Sequence, residues 1–129
     1  MEKEKGKVGR IIVPKNALVQ PHEFDVAVVL AWTGNDVEFI PASHMHTPDI
    51  KFQGIFWEIK SPIGSSSRTI ENNIRLALKQ SSNVIMDLSR MKILESKCLH
   101  EMRRQNDLIK GKHRVMVITK KKKILKLWE

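Results

Sequence analysis

A helical segment that joins two strand segments is the feature of this sequence that most constrains its fold. Residues 68–80 place apolar side chains on one face at helical spacing, whereas 55–60 and 83–88 are short apolar runs of strand length. A helix between two strands carries the chain back along the sheet, so the strands that it joins pair in parallel. We therefore predict a domain of the α/β or α+β class with a mixed central sheet.

The other elements follow from the same periodicities. The predicted elements are an edge strand or ordered arm at 11–13, a helix that begins at Pro21 and stops before Gly34, a strand at 37–40, a hairpin over 49–60 with Gln53-Gly54 as its turn, a helix over 91–109, and strands at 114–119 and 124–128. The predicted buried faces of the first and last helices are Phe24, Ala27, Val28 and Ala31, and Met91, Leu94, Cys98 and Met102. A chain of 129 residues suits one compact domain, and we predict an arm or added strand over 1–17 followed by the domain over 18–129.

The composition excludes several classes of protein. Cys98 is the only cysteine, so the sequence excludes an intrachain disulfide and a cysteine-based zinc site. No apolar run approaches the roughly 18 residues that a membrane span needs, and the first residues lack the apolar stretch of a secretory signal. These features predict a protein without a membrane span that acts in the cytoplasm.

Charge is distributed unevenly along the chain. Lys and Arg exceed Asp and Glu by nine, yet residues 21–60 carry a net charge of −4, while 1–20, 61–90 and 91–129 carry +3, +2 and +8. A basic chain of this size is often a binder of nucleic acid or of another polyanion. An acidic window inside such a chain predicts a cation site within a polyanion-binding surface.

The acidic window contains two carboxylates that the predicted hairpin would place opposite each other. If Gln53-Gly54 is a two-residue turn, counting outward along both strands puts Asp49 opposite Glu58. Opposed side chains on one face have Cβ atoms about 4.5–5.5 Å apart, and two like charges there destabilise a sheet. A divalent cation that bridges both carboxylates would neutralise them.

Lys60 follows Glu58 by two residues, so both side chains point to the same face of the predicted strand. The Lys60 ammonium is a candidate to orient a water molecule or to stabilise a pentavalent phosphate. Hard carboxylate oxygens with open water positions favour Mg²⁺ or Mn²⁺ over Zn²⁺. Such a metal activates water and neutralises charge on phosphate, so this spacing predicts a site that cleaves phosphodiester bonds.

The same residues resemble the signature of a known superfamily. A Pro-Asp dipeptide that ends at Asp49, eight further residues, and then Glu58-x-Lys60 resemble the motif of the PD-(D/E)xK nucleases, whose restriction-endonuclease-like core is helix, three strands, helix and strand. The resemblance implies that Asp49 and Glu58 hold the metal and that Lys60 assists the attacking water. It also implies an acidic residue on the first core helix, where Glu23 matches. The alternative for Glu23 is an ordinary helix N-terminal acid, favoured by the helix dipole.

Beyond the motif, the layout over residues 18–119 resembles the C-terminal tRNA-nuclease toxin domains of contact-dependent growth inhibition systems. The similar segments are HEFDVAVVLAWTGNDVEFI, TPDIKFQGIFWEIKSP and ALKQSSNVIMDL. The resemblance implies a toxin that cleaves tRNA in the target-cell cytoplasm, and a cognate immunity protein that is acidic because it must cover a basic groove. It also implies that Gln80, at the end of the second helix, approaches the site, with a solvated helix end as the alternative.

Other side chains are candidates for substrate contact. Arg68, Arg75 and Lys79 share one face of the second helix and are candidates to line a track of nucleic-acid phosphates, although a solvated helix face has the same spacing. His46 lies on the loop before the motif and is a candidate to approach the scissile phosphate. His113 is assigned to the surface.

Two alternative functions use the same sequence features. A DNA endonuclease of restriction or junction-resolving type would employ the same residues, because a phosphate-centred motif does not distinguish RNA from DNA. A catalytically inactive basic module would bind nucleic acid without cutting it. The sequence leaves the oligomeric state open.

Overall fold

The computed structural model describes residues 7–43, 47–111 and 113–127, and in these ranges the chain forms seven strands and four helices. They are β1 (Ile11–Ile12), α1 (Pro21–Ala31), β2 (Val37–Phe39), β3 (Ile50–Phe52), β4 (Ile55–Lys60), α2 (Ser67–Gln80), β5 (Asn83–Asp87), α3 (Glu95–Arg104), α4 (Asn106–Ile109), β6 (Arg114–Ile118) and β7 (Ile124–Lys126). Parallel and antiparallel strand pairs both occur, which confirms the predicted mixed class.

The chain divides into two compact units, Met1–Phe56 and Trp57–Glu129, so the boundary falls inside β4. The sequence predicts an arm or added strand over 1–17 and a domain over 18–129. Because β1 pairs with β2, the segment around it is part of the first unit. The assignment of 18–129 as a nuclease domain stays a prediction.

In the first unit, α1 contacts β1 and β2, while β2 pairs parallel with β1 and antiparallel with β3. Residues on alternate positions of β2 and β3 are buried together with one face of α1. The buried set is Val26, Ala27, Leu30, Ala31, Val37, Phe39, Ile50 and Phe52. The predicted burial of Phe24 is wrong, since its side chain is 41% exposed. The predicted burial of Ala27 and Ala31 is confirmed, and the buried stripe of α1 also includes Val26 and Leu30.

Arg10, next to the edge strand β1, forms a salt bridge and a backbone hydrogen bond with Asp36, next to β2. Arg10 donates its backbone N–H to Asp36 Oδ1 at 2.8 Å and its Nη2 to Asp36 Oδ2 at 3.0 Å. The backbone hydrogen bond from Arg10, followed by the guanidinium hydrogen bond, lowers the pKa of the Asp36 carboxyl. A Cβ on Gly9 would lie 1.8 Å from the Asn35 carbonyl oxygen, so only glycine fits there. Of the two predictions for this segment, the added strand is confirmed.

The predicted hairpin turn is confirmed. Gln53 and Gly54 both have positive φ angles, 56° and 76°, which is the signature of the type I′ turn that joins two antiparallel strands. Lys51 and Phe56 flank the turn, and Lys51 Nζ lies 5.6 Å from the centre of the Phe56 ring. This contact matches the register that the sequence predicted next to the turn.

In the second unit, β5 pairs parallel with both β4 and β6, and β7 closes the series antiparallel to β6. Helix α2 joins β4 to β5, so the parallel pairing predicted from the crossover is confirmed. The core between these helices and strands is formed by Ile70, Ile74, Ala77, Val84, Met86, Leu88, Met91, Cys98, Met102, Ile109, Val115 and Val117. Desolvation by burial raises the pKa of the Cys98 thiol, in keeping with a packing role.

The predicted helix over 91–109 is wrong in extent. Its N-terminal part is not helical, because Lys92 donates its backbone N–H to the Gly64 carbonyl at 2.7 Å and Met91 forms a bridge with Gly64. The helical segment begins at Glu95, with Leu94 as its 69% exposed N-cap residue, so the predicted burial of Leu94 is also wrong. Trp128, the end of the last predicted strand, lies outside the described residues.

Candidate active site

Glu58 and Lys60 form an ion pair on β4. Lys60 Nζ lies 3.4 Å from Glu58 Oε2, and the Glu58 residue is only 7% exposed. The two side chains share a face because they are two positions apart on a strand, as the sequence predicted. A carboxylate withdrawn from water and an ammonium beside it are the groups that a hydrolytic site needs to hold a cation and to position a nucleophile.

The neighbouring strand determines which face the pair occupies. Glu58 is in register with Val84, and Lys60 with Met86. Partners in register on adjacent strands point to the same side of a sheet, so the pair shares the face whose apolar residues pack against α2. The pair therefore lies at the β4 margin of the core of the second unit.

Asp49 belongs to the first unit, immediately before β3. Its carbonyl accepts a hydrogen bond from the backbone N–H of Ile40 at 3.0 Å, which continues the β2–β3 pairing by one step. The side chain is half-buried. The backbone of Asp49 is thus fixed by the strands, as required of a residue that holds a cation in a defined place.

Glu23 lies in the first turn of α1 and closes a capping box there. Its Oε1 accepts a hydrogen bond from the backbone N–H of Gln20 at 3.2 Å. Glu23 thus lies where the alternative places an ordinary helix N-terminal acid, and it also makes a capping hydrogen bond that the sequence did not predict. The metal role of Glu23 stays a prediction.

The predicted phosphate-contacting residues of α2 are all exposed. Arg75 Nε lies 3.1 Å from Glu71 Oε2, in an ion pair between residues one helical turn apart. Arg75 and Lys79 line one cavity, whereas Arg68, at the start of the helix, is not among the residues that line it. Gln80 is exposed at the end of α2. His46 lies outside the described residues.

Two residues gain a role that the sequence did not predict. Asp87, 2% exposed at the end of β5, accepts hydrogen bonds from Ser61 Oγ at 3.1 Å and from the Ser89 backbone N–H at 3.0 Å, which ties the ends of β4 and β5 together. His113, assigned to the surface, has a buried Nδ1 and joins Arg75 and Lys79 in lining the cavity. A polar residue directly after a run of buried apolar residues was the available signal for Asp87, whereas nothing local marks His113.

The donor chemistry of these residues suits a hard divalent cation. Among residues 7–43, 47–111 and 113–127, no three His, Cys, Asp or Glu side chains come together as a metal-holding group. Mg²⁺ requires less than that, because it keeps several water ligands and is commonly held by one or two carboxylates. Asp49 and Glu58 offer oxygen ligands of this kind, and Mg²⁺ or Mn²⁺ binding by them stays a prediction.

Comparison with known proteins identifies the family. The model of the contact-dependent growth inhibition CdiA C-terminal domain matches residues 46–124, which is more than half of the chain and includes the segment from Asp49 to Lys60. The fold is similar to that of a solved CdiA-CT/CdiI toxin and immunity complex from Burkholderia pseudomallei, with a TM-score of 0.66 and 21% sequence identity over 90% of this chain and 97% of that chain. No curated protein matches the chain.

No helix in the described ranges is long and apolar enough to cross a membrane, as the sequence predicted.

The likeness in fold and the predicted resemblance agree with the family match. The chain therefore belongs to the contact-dependent growth inhibition CdiA C-terminal domain family.

Proposed function

We propose that this toxin domain is a metal-dependent endonuclease that hydrolyses phosphodiester bonds, with tRNA as the favoured substrate. The observation that most strongly supports the proposal is the ion pair between Lys60 and the buried Glu58, 3.4 Å long, within the segment that the family model matches. The PD-(D/E)xK assignment rests on the spacing of Asp49, Glu58 and Lys60.

Each motif residue has a distinct role in this proposal. Asp49 and Glu58 hold Mg²⁺ or Mn²⁺ through carboxylate oxygens. When bound, the cation neutralises the charge of the phosphate as the nucleophile adds. Lys60 donates a hydrogen bond to the attacking water and keeps it in line with the scissile bond. The water oxygen bonds to phosphorus, the bond to the leaving oxygen breaks, and a proton moves to that oxygen.

The charge of the second unit supports a polyanionic substrate. Residues 57–129 contain 17 Lys and Arg against seven Asp and Glu, a net charge of +10, whereas residues 1–56 contain six against seven. Lys60 and the basic residues of α2 belong to the positively charged unit. Attraction to nucleic-acid phosphates supplies most of non-specific binding and rises with such an excess of charge.

A cognate immunity protein is the second partner that we propose. The solved structure with a similar fold is a toxin and immunity complex. A protein that covers a unit of net charge +10 is expected to be acidic, because complementary charge speeds and orients association. We place the toxin's action in the target-cell cytoplasm, after delivery.

The test is cleavage by the purified chain. Total tRNA and plasmid DNA are incubated with the protein in Mg²⁺, Mn²⁺ or EDTA, and the cut ends are sequenced. We expect metal-dependent cutting of tRNA. Asp49→Asn, Glu58→Gln and Lys60→Met should each reduce the rate by about 10²–10⁴-fold, the range for a lost catalytic group. Thermal unfolding must show that each variant is folded, because the substitution of Lys60 removes an ammonium 3.4 Å from the buried Glu58 carboxylate.

Matched controls come from exposed residues on neighbouring strands. Glu38→Gln on β2 and Lys51→Met on β3 remove the same charges from solvent-facing side chains and should cut at the wild-type rate. Cutting of DNA alone would replace tRNA by DNA as the substrate. Binding without metal-dependent cutting of either polymer would overturn the enzyme proposal and leave a binding module.

A further inference from the structure

The second unit contains a cavity of about 160 Å³ at the C-terminal end of α2. It is lined by Arg75, Leu78, Lys79, Leu108 and His113. Pockets that hold whole small molecules have about 300–1,000 Å³, so this one has room for a single ring or a single charged group. The family motif makes no use of it.

The walls of the cavity combine an apolar surface with cations at its rim. Leu78 and Leu108 supply aliphatic side chains, while Arg75 and Lys79 are exposed and carry their charges toward solvent. An apolar wall accepts the face of a planar base, and adjacent cations accept the phosphate of the same nucleotide. Neither a phosphate alone nor an uncharged ring would use both halves of this lining.

His113 adds an aromatic ring to the lining of the cavity. Its Nδ1 is buried, and it has no hydrogen-bond partner among the residues that the structure describes. The backbone N–H of His113 donates to the Ile109 carbonyl at 3.2 Å, which anchors the residue at the end of α4. The imidazole ring of His113 is an aromatic surface on which a base can stack.

A phosphate at the C-terminal end of α2 needs the positive charges of Arg75 and Lys79. The C-terminus of a helix carries partial negative charge, so α2 itself repels a phosphate at this end. The Glu71 carboxylate, 3.1 Å from Arg75 Nε, offsets part of the positive charge and holds the guanidinium in place. Binding of a phosphate here therefore depends on Lys79 and Arg75.

We propose that this cavity binds one unstacked nucleotide of the nucleic-acid substrate, with its base against Leu78, Leu108 and His113 and its phosphate on Arg75 and Lys79. The identity of the ligand rests on the proposed nuclease function. The site would hold the strand away from the reacting phosphate and so determine which bond reaches Glu58 and Lys60.

The experiment measures binding without cleavage. A short fluorescein-labelled single-stranded RNA, and a DNA of the same sequence, are titrated with the protein in EDTA over a range of salt concentrations. We expect Lys79→Ala to lower the slope of log affinity against log salt by about 0.7, the value for one phosphate contact on a single strand. His113→Ala should weaken binding roughly tenfold at every salt concentration, since stacking on one side chain is worth about that much.

Three further variants test separate parts of the site. Glu71→Gln removes the carboxylate that pairs with Arg75 and should tighten binding of the labelled RNA. Arg103 is an exposed cation on α3 that does not line the cavity, so Arg103→Ala is the control and should leave the contribution of His113 to the affinity unchanged. His113→Phe keeps a flat ring without the nitrogen and should lose only part of the affinity. Thermal unfolding checks that both His113 variants are folded.

The outcomes separate this proposal from the nuclease proposal. Equal affinities of His113→Ala, Lys79→Ala and the Arg103→Ala control would overturn the nucleotide site, even if the protein cuts tRNA. A loss with Lys79→Ala but not with His113→Ala would also overturn it, in favour of a phosphate contact alone. Binding that depends on His113 and Lys79, in a protein that cuts nothing, would support the site and remove the nuclease function.

Discussion

A single substitution can separate the capping role of the Glu23 carboxylate from the metal role that we propose for it. Its Oε1 accepts the hydrogen bond that caps α1, and glutamine accepts the same bond. Glu23→Gln therefore keeps the cap and removes the charge that the predicted metal role requires. We expect helix content to stay constant and cleavage to fall about 10–100-fold, as for the loss of a group that supports a metal site. Circular dichroism and cleavage at increasing Mg²⁺ concentrations measure the two effects.

Asp25→Asn is the matched control for Glu23→Gln. Asp25 is exposed on the same helix and carries the same charge near the same positive helix end. Its substitution should leave cleavage unchanged. If Glu23→Gln also cuts at the wild-type rate at every Mg²⁺ concentration, Glu23 is a helix cap and nothing more.

Residues were predictable from the sequence where their neighbours are local. Glu58 and Lys60 share a face because a strand has a period of two, and Arg75 and Lys79 share a face because a helix has a period near four. His113 has no such signal. It reaches α2 only because the chain turns back through Gly111, at a φ of 83°, before β6. Contacts between residues far apart in sequence leave no local period to read.

Helices and strands were likewise predictable from the sequence where the interactions that form them are local. The hairpin turn, α2 and β5 were found because their chemistry is contained within each segment. The predicted helix over 91–109 begins too early, because the spacing of Met91 and Leu94 imitates a helical stripe. The backbone there instead bonds to Gly64, some thirty residues earlier, and this competing partner was invisible in the local pattern.

The backbone conformation of Gln53, in the turn of the β3–β4 hairpin, lowers the stability of the fold by a measurable amount. Gln53 has a φ of 56°, a left-handed conformation that costs most residues about 1–2 kcal/mol and that Asn tolerates better. Gln53→Asn should raise the free energy of unfolding by about 0.5–1 kcal/mol, because Asn-Gly is the preferred pair for a type I′ turn. Urea unfolding followed by circular dichroism measures the change.

Gln53→Ala is the control for the turn, because it shortens the side chain and keeps an ordinary Cβ in the left-handed region. It should give no gain in stability. Equal unfolding free energies for the Asn and Ala variants would show that backbone conformation at this position is not what limits the hairpin.

At the scale of the whole molecule, the net charge of +9 is concentrated in residues 57–129, which carry +10. A charge excess alone predicts that any exposed lysine contributes equally to nucleic-acid binding. A phosphate track on α2 predicts instead that position matters. Two charge-matched double variants distinguish these cases: Arg68→Gln with Lys79→Gln on α2, and Lys121→Gln with Lys122→Gln in the β6–β7 turn, all four residues being exposed.

We expect the α2 pair to dominate the salt dependence of binding. Loss of two phosphate contacts should lower the slope of log affinity against log salt by about 1.4 on a single strand, whereas the loss of two turn lysines acts only through the diffuse field and should change the slope little. The measurement is titration of labelled RNA in EDTA at several salt concentrations. Equal reductions by the two variants would mean that the second unit attracts nucleic acid by its total charge, and that the helical spacing of Arg68, Arg75 and Lys79 marks only a solvated face.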